Sequence, residues 1–159
     1  MGTKGQFIHQ VLQKNKLPFY RGIFAADTIP FEILKTPTFC IIINTDPHYM
    51  KGKHWIALIR HNQNAKIFDS LQFPNKILLP ELQRVLKILK ATRIRKKRIQ
   101  PILSDTCGFY CMHEILKFHL LLDYKTRKHI NQLEDFASPE VNDKICRDNI
   151  SKMIRLLKK

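Results

Sequence analysis

Long hydrophobic runs are missing from this sequence of 159 residues. No apolar stretch approaches the roughly 20 residues that a membrane-spanning helix requires. The opening residues MGTKGQFIHQ are too polar for a secretory signal peptide, and Gln6 stands where a myristoylation signal needs Ser or Thr. We therefore expect a soluble, intracellular protein without a membrane partner.

Cysteine is also sparse. The four cysteines, Cys40, Cys107, Cys111 and Cys146, are too few and too scattered for a disulfide-stabilised secreted module, so we expect reduced thiols. In CGFYC, three residues separate Cys107 from Cys111, and no second pair of ligands follows at the spacing of a zinc site. The sequence therefore predicts no metal site.

Acidic residues are few: 13 Asp and Glu stand against 28 Lys and Arg, which gives a formal net charge of +15. Such an excess attracts polyanions, so DNA, RNA or an acidic protein is a candidate partner. The densest basic run is RIRKKR, with Arg93, Arg95, Lys96, Lys97 and Arg98. It lacks aromatic residues that could stack on bases, so it predicts non-specific contacts with phosphates. The alternatives are a nuclear localisation signal or a solvated charged face.

The spacing of apolar residues predicts a single α+β domain that spans residues 1–159. Helical spacing is found at 6–13, 80–90 and 107–122, and from Pro139, preceded by Ser138 as N-cap, to the end. Strand patterns are found at 38–43, 54–60, 66–71 and in part of 93–103. The second and third strands flank the polar HNQNA and should form a hairpin.

Cys107 opens the most apolar helix, in the segment ILSDTCGFYCMHEILKF. The partial positive charge at a helix N-terminus favours a thiolate, which is the nucleophilic form of cysteine. Gly108 has no side chain to collide with a substrate backbone. Against this interpretation, Asp105 could cap the helix and would repel a thiolate. The alternative is a packed core thiol, since free cysteine is often buried.

A thiol nucleophile needs a base, and the base needs a group that orients it. His54 opens the strand HWIALI, and Asp69 closes the partner strand in IFDSL, so both lie at the open end of one hairpin. The carboxylate could accept a hydrogen bond from the imidazole and fix its tautomer. Alternatively, Asp69 only starts a turn and His54 is a surface residue of an edge strand.

Gln100 lies seven positions before Cys107. Through a turn, its side-chain amide could donate a hydrogen bond to an oxyanion, with the Cys107 backbone N–H as the second donor. The alternative is a solvated glutamine.

The order His, Asp, Gln, Cys, with HW and CGFYC, resembles the adenovirus protease (adenain) family and, more distantly, the proteases that cleave SUMO and other ubiquitin-like proteins. The segments LPFYRGIF, CIIINT, HWIALI, IFDSLQF and QPILSDTCGFYC occur in the order of that family. The resemblance implies Cys107 as nucleophile, His54 as general base and acid, Asp69 as the residue that orients His54, and Gln100 as oxyanion donor. Trp55 would form one wall of the substrate-binding cleft.

The same resemblance implies a papain-like or adenain-like fold, in which a mixed central sheet packs against a buried helix carrying the nucleophile at its N-terminus. The implied function is a cysteine endopeptidase that matures viral precursor proteins at glycine-containing sites, in the virion and in the host nucleus or cytoplasm. No metal or nucleotide would be needed, and DNA and an activating peptide are candidate cofactors. We expect a monomer.

Two departures from the family pattern stand out. The acid is Asp69, as in the SUMO proteases, whereas adenain uses Glu. The region TRIRKKRIQ holds no cysteine to capture an activating peptide, so a disulfide-linked activator is not expected. The rival functions are an isopeptidase that removes ubiquitin-like tags and a non-catalytic basic DNA-binding virion protein.

Overall fold

The computed structural model of the protein describes residues 5–158, which fold around a five-stranded mixed sheet. The strands lie side by side in chain order: β1 (Tyr20–Ala25), β2 (Thr38–Asn44), β3 (Trp55–His61), β4 (Asn64–Phe68) and β5 (Thr92–Arg93). Strand β3 pairs antiparallel with both β2 and β4, and the outer strands β1 and β5 run parallel to their neighbours. The predicted α+β class is confirmed.

Within residues 5–158, six α-helices accompany the sheet: α1 (Gly5–Lys14), α2 (Phe31–Lys35), α3 (Pro80–Ile88), α4 (Cys107–Leu122), α5 (Tyr124–Arg127) and α6 (Pro139–Leu157). Helices cover both faces of the sheet. Because successive residues of a strand point to opposite faces, Cys40 and Ile42 of β2 pack with α1, α4 and α6. Phe39, Ile41 and Ile43 pack with α2 and α3 on the other face.

Helix α4 is the central helix of the fold. Eleven of its 16 residues are buried, so it has little free surface, which explains why its sequence is apolar nearly all round. It packs against β3 on one side and α6 on another. The predicted buried helix at 107–122 is confirmed, with the same first and last residues.

The structure differs from the sequence predictions at a few elements. The segment 93–103 contributes only Arg93 to the sheet, in the short strand β5, so Gln100 lies in a loop and not on a strand. Strand β1 was not predicted, because it is a half-buried edge strand with an irregular register and a glycine, Gly22, at φ +123°. Ser138 does precede α6, but its side chain makes no capping hydrogen bond.

The four cysteines are all free and buried. Cys40, Cys111 and Cys146 are core residues, as predicted. Within residues 5–158, no helix combines the length and apolar character needed to cross a membrane.

Replacing Ile42 by Ala should lower the free energy of unfolding by about 2–5 kcal/mol, because this fully buried side chain would leave a cavity between the sheet and α4. Urea denaturation measures the change. Ile77→Ala is the matched control: Ile77 is 59% exposed, so its loss should cost within about 0.5 kcal/mol. Equal losses at the two positions would contradict the assignment of this core.

Candidate active site

The hairpin of β3 and β4 brings His54 and Asp69 together. His54 immediately precedes β3 and Asp69 immediately follows β4, and the antiparallel register pairs Ala57 with Phe68. The imidazole Nε2 lies 2.7 Å from Oδ1 of Asp69, and both side chains are buried. The predicted contact between the two residues is therefore present.

The connection that carries His54 is tightly held. The carbonyl of His54 accepts a hydrogen bond from the backbone N–H of Thr45, at 2.9 Å. Gly52 has φ +79°, and a Cβ at this position would collide with the side-chain amide of Asn44. Only glycine fits this close approach, so the chain before His54 has a restricted path.

Two backbone amides anchor the Asp69 carboxylate in addition to the imidazole. The backbone N–H of Leu71 donates to Oδ1 at 2.9 Å, and that of Phe73 donates to Oδ2 at 2.8 Å. Burial alone would raise the pKa of Asp69, but the hydrogen bond and charge of His54 and these two amides hold it below its usual value. Asp69 is therefore ionised at neutral pH.

Arg93 contacts the turn of residues 69–75, which follows β4. Its Nη1 lies 3.9 Å from Oδ2 of Asp69, and its Nη2 donates to the carbonyl of Phe73 and to Oδ1 of Asn75, the latter at 2.6 Å. The ring of Phe73 in turn packs edge-on against the imidazole of His54, with 5.1 Å between centroids. Arg93, which the sequence suggested as a DNA contact, thus has partners around Asp69.

The imidazole of His54 is held in its protonated form. Burial would lower its pKa, but the hydrogen bond with Asp69, the charge of Asp69 and the interaction with Cys107 outweigh burial and raise the pKa to about 9. An imidazolium paired with a carboxylate is the charge state that stabilises a neighbouring thiolate.

Cys107 is the first residue of α4, and the packing of α4 on β3 places its thiol close enough to the His54 ring to help raise the pKa of that ring. The ring nitrogen Nδ1, which does not face Asp69, is buried and has no hydrogen-bond partner within residues 5–158. Sulfur, imidazole and carboxylate therefore converge, as the sequence predicted.

The site opens to the surface. Although Cys107 is only 5% exposed, it lines a cavity of about 490 Å³ together with His54, Trp55, Leu71 and Gln100. Trp55 lies in the wall of this cavity, where the sequence placed it. Gly108 is buried in the first turn of α4 and does not line the cavity, so its contact with substrate stays a prediction.

The other three thiols are core residues and do not line this cavity. Burial raises the pKa of Cys40, Cys111 and Cys146 well above the usual value for a thiol. They remain protonated in the core and are unsuited to nucleophilic attack. Among residues 5–158, no group of three or more His, Cys, Asp or Glu side chains is arranged to hold a metal ion.

Gln100 occupies the loop before α4 and is fixed at both ends of its amide. Oε1 accepts a hydrogen bond from Oγ of Ser70 at 2.5 Å, and Nε2 donates to the carbonyl of Ser104 at 2.6 Å. The second hydrogen of Nε2 is left for another acceptor. The N-cap of α4 is Thr106 and not Asp105, and the Thr106 hydroxyl makes no capping bond to the first turn.

Sequence reasoning missed the supporting residues of this loop. Ser70 directly follows Asp69 in the sequence, so the prediction of Asp69 as a site residue could have pointed to Ser70 as well. Asp143 contacts Ser104 and Thr106 from α6, and nothing in the local sequence could have paired residues so far apart.

The basic run is split between two environments. Arg93 has the contacts given above, and Arg95 lies 3.7 Å from Oε1 of Glu114 and stacks over Phe136, with 5.0 Å to the ring centroid. Lys96, Lys97 and Arg98 are exposed. Contact of the run with nucleic acid stays a prediction.

Comparisons with known proteins reveal similarity in structure only. No family model matches the chain, and no curated protein matches its sequence. The crystal structure of the ASFV pS273R protease is similar with a TM-score of 0.56 and 16% identity, over 94% of this chain and 66% of that one. Its selenomethionine form gives a TM-score of 0.47 and 17% identity over the same shares.

The first of these likenesses shows that the chain has the fold of that protease, and the fold expected from the sequence is confirmed. The chain spans about two thirds of the protease's length. The resemblance to the adenovirus protease in particular stays a prediction.

The pair of His54 and Asp69 predicts a pH-dependent stability. Because the folded pKa of His54 is about 9, above its ordinary 6.5, its contribution is fully present below pH 6.5 and is lost as the pH rises through 9. Urea denaturation between pH 6 and pH 10 should show the wild type losing stability relative to His54→Gln, at up to about 1.4 kcal/mol per pH unit. Parallel curves for the two proteins would contradict the raised pKa.

Proposed function

We propose that this protein is a cysteine endopeptidase, with Cys107 as nucleophile, His54 as general acid and base, and Asp69 as the residue that orients His54. The observation that carries the proposal is the buried contact of 2.7 Å between His54 and Asp69, beside a cysteine that opens a buried helix and lines an open cavity. The structural likeness to a protease supports it.

In the proposed reaction, the Cys107 sulfur attacks a peptide carbonyl carbon, and the carbonyl oxygen takes up the negative charge. The Gln100 amide and the backbone N–H of Cys107 donate to this oxyanion. When the C–N bond breaks, the His54 imidazolium gives its proton to the leaving amine, and a thioester remains on Cys107. His54 then takes a proton from water, which attacks the thioester, and collapse releases the acid and the thiolate.

We propose polypeptides as substrates, bound in an extended pose along the cavity under Trp55. Cleavage at glycine-containing sites follows from the sequence resemblance, since a glycine passes a narrow cleft without steric conflict. Maturation of viral precursor proteins in the virion or the infected cell is the proposed role, supported by the likeness to an ASFV protease.

The nucleophile is tested by substitution. Cys107→Ala should fold normally and lower peptide hydrolysis by at least about 10³-fold, because Cys107 is the one cysteine among the described residues that line the cavity. Digestion of a mixed peptide library, followed by mass spectrometry, gives the rates and the cleavage sites. A conjugate in which a ubiquitin-like protein is joined to a lysine side chain by an isopeptide bond, assayed in parallel, distinguishes an endopeptidase from an isopeptidase.

The matched control is Cys111→Ala, which removes a thiol of the same helix, one helical turn after Cys107. It should retain activity and should still be labelled by a thiol-directed peptide probe. Labelling or hydrolysis by Cys107→Ala at the wild-type rate would overturn the proposed mechanism.

A second proposed activity is non-specific DNA binding through the exposed Lys96, Lys97 and Arg98, supported by their exposure and by the net charge of +15. Replacing all three by Ala should reduce the steepness with which the logarithm of the DNA-binding constant falls with the logarithm of salt concentration. The slope should fall in magnitude by about 2.7, because each phosphate that the protein neutralises contributes about 0.9 to it. Fluorescence anisotropy of a labelled duplex measures the slope.

The control for net charge is the triple variant Arg84→Ala, Lys87→Ala and Lys90→Ala, which removes the same charge around α3. Its slope should change less. The proposed DNA contact of Lys96, Lys97 and Arg98 would be wrong if only the control variant weakened binding, or if binding by the wild type did not depend on salt.

A further inference from the structure

We propose that Asp143, on α6, is a positioning residue for the oxyanion site. Resting on the function proposed above, it would fix the loop of residues 99–106, which carries Gln100 and leads into the backbone N–H of Cys107. Asp143 lines no part of the cavity, so it would act through the loop and not on the substrate.

The Asp143 carboxylate gathers three hydroxyl groups. Oδ1 accepts from Thr106 at 2.8 Å and from Tyr110 at 2.9 Å, and Oδ2 accepts from Ser104 at 2.7 Å. Ser104 and Thr106 also lie 2.5 Å apart, so the Ser104 proton can go to either neighbour. In both arrangements the carboxylate is the terminal acceptor, because it has acceptor sites only.

From Asp143 the contacts run without a gap to the oxyanion donor. Ser104, held through its hydroxyl, uses its backbone carbonyl to accept from Nε2 of Gln100 at 2.6 Å. The other end of the Gln100 amide accepts from Ser70, whose carbonyl accepts the backbone N–H groups of Ile99 and Gln100 at 3.0 and 3.2 Å. The Gln100 side chain is therefore fixed from α6 on one side and from the Asp69 turn on the other.

The same carboxylate determines how α4 begins. The Thr106 side chain stands at the N-cap but bonds to Asp143 and makes no capping bond to the first turn. A threonine hydroxyl at this position normally satisfies a helix N–H. Because Asp143 holds it elsewhere, the N-terminal amides and dipole of α4 are not covered by this side chain and can face developing negative charge.

A neighbour of Asp143 ties the loop to α6 at a second point. Asn142 is buried, and its Nδ2 donates to the carbonyl of Ile99 at 2.8 Å. This bond holds the start of the loop whether or not residue 143 is charged. Loss of the carboxylate should therefore loosen Ser104, Thr106 and Gln100 without detaching the loop, which makes a selective catalytic defect the expected outcome.

The test is Asp143→Asn, in which one carboxylate oxygen becomes an amide donor that cannot accept from a hydroxyl. We expect kcat for peptide hydrolysis to fall about 10- to 100-fold with KM within about twofold, because the oxyanion donors act in the transition state. Alkylation of Cys107 by iodoacetamide forms no oxyanion, so its rate and pH profile should stay within about twofold of wild type.

Asp148→Asn makes the same charge change at an exposed position of α6 and should leave both rates unchanged. If Asp143→Asn melts too early to assay, Ser104→Ala removes one of the three hydroxyls and keeps the carbonyl that holds Gln100, and it should show a smaller loss of kcat with alkylation unchanged. Amide exchange of residues 99–107 should be faster in Asp143→Asn than in Asp148→Asn.

The outcomes separate the two proposals. A wild type that is alkylated at Cys107 but hydrolyses no peptide overturns the proposed function and this inference with it. If the wild type is active, wild-type kcat in Asp143→Asn overturns the inference alone. A parallel fall of hydrolysis and alkylation would also overturn it, since that result indicates a general disturbance of the nucleophile.

Discussion

The buried ion pair between His54 and Asp69 is the interaction on which the site depends. Placing two charges out of contact with water is costly, and the pair is tolerable only if other groups satisfy it. Here the backbone amides of Leu71 and Phe73 hold the carboxylate, and Arg93 adds positive charge at a greater distance. The interaction with Cys107 also favours the charged imidazole. The turn after β4 therefore has a fixed shape for an electrostatic reason.

The parts of the site that the sequence predicted are those determined by short-range pattern. A hairpin register places His54 beside Asp69, and a strongly apolar segment that begins at Cys107 places that residue at a helix start. The parts it could not predict depend on contacts between distant segments. Gln100 was expected near a strand, but the fold holds it in a loop through Ser70, and Asp143 reaches the same loop from α6. Strand β1 escaped notice because edge strands need little burial.

Charge in this protein serves two purposes that composition cannot separate. In RIRKKR, five basic residues look equivalent in sequence, yet Arg93 and Arg95 lie against acidic side chains within the fold, whereas the three that follow are exposed. Arg95 approaches Glu114, which is buried beside His113 and would be costly to ionise alone. A basic run can thus contribute both to internal ion pairs and to an external surface.

The burial of most of α4 limits how the proposed substrates can be accommodated. A helix enclosed on most sides cannot shift or rotate without opening the core, so the sulfur at its first residue has a fixed position. In the proposed function, adjustment to different peptides must then take place in the loops at the rim of the cavity. Residues that set the reactivity of the thiol would then change slowly in evolution, because they are constrained by the core. Residues that set substrate selectivity would change faster, because they lie in surface loops.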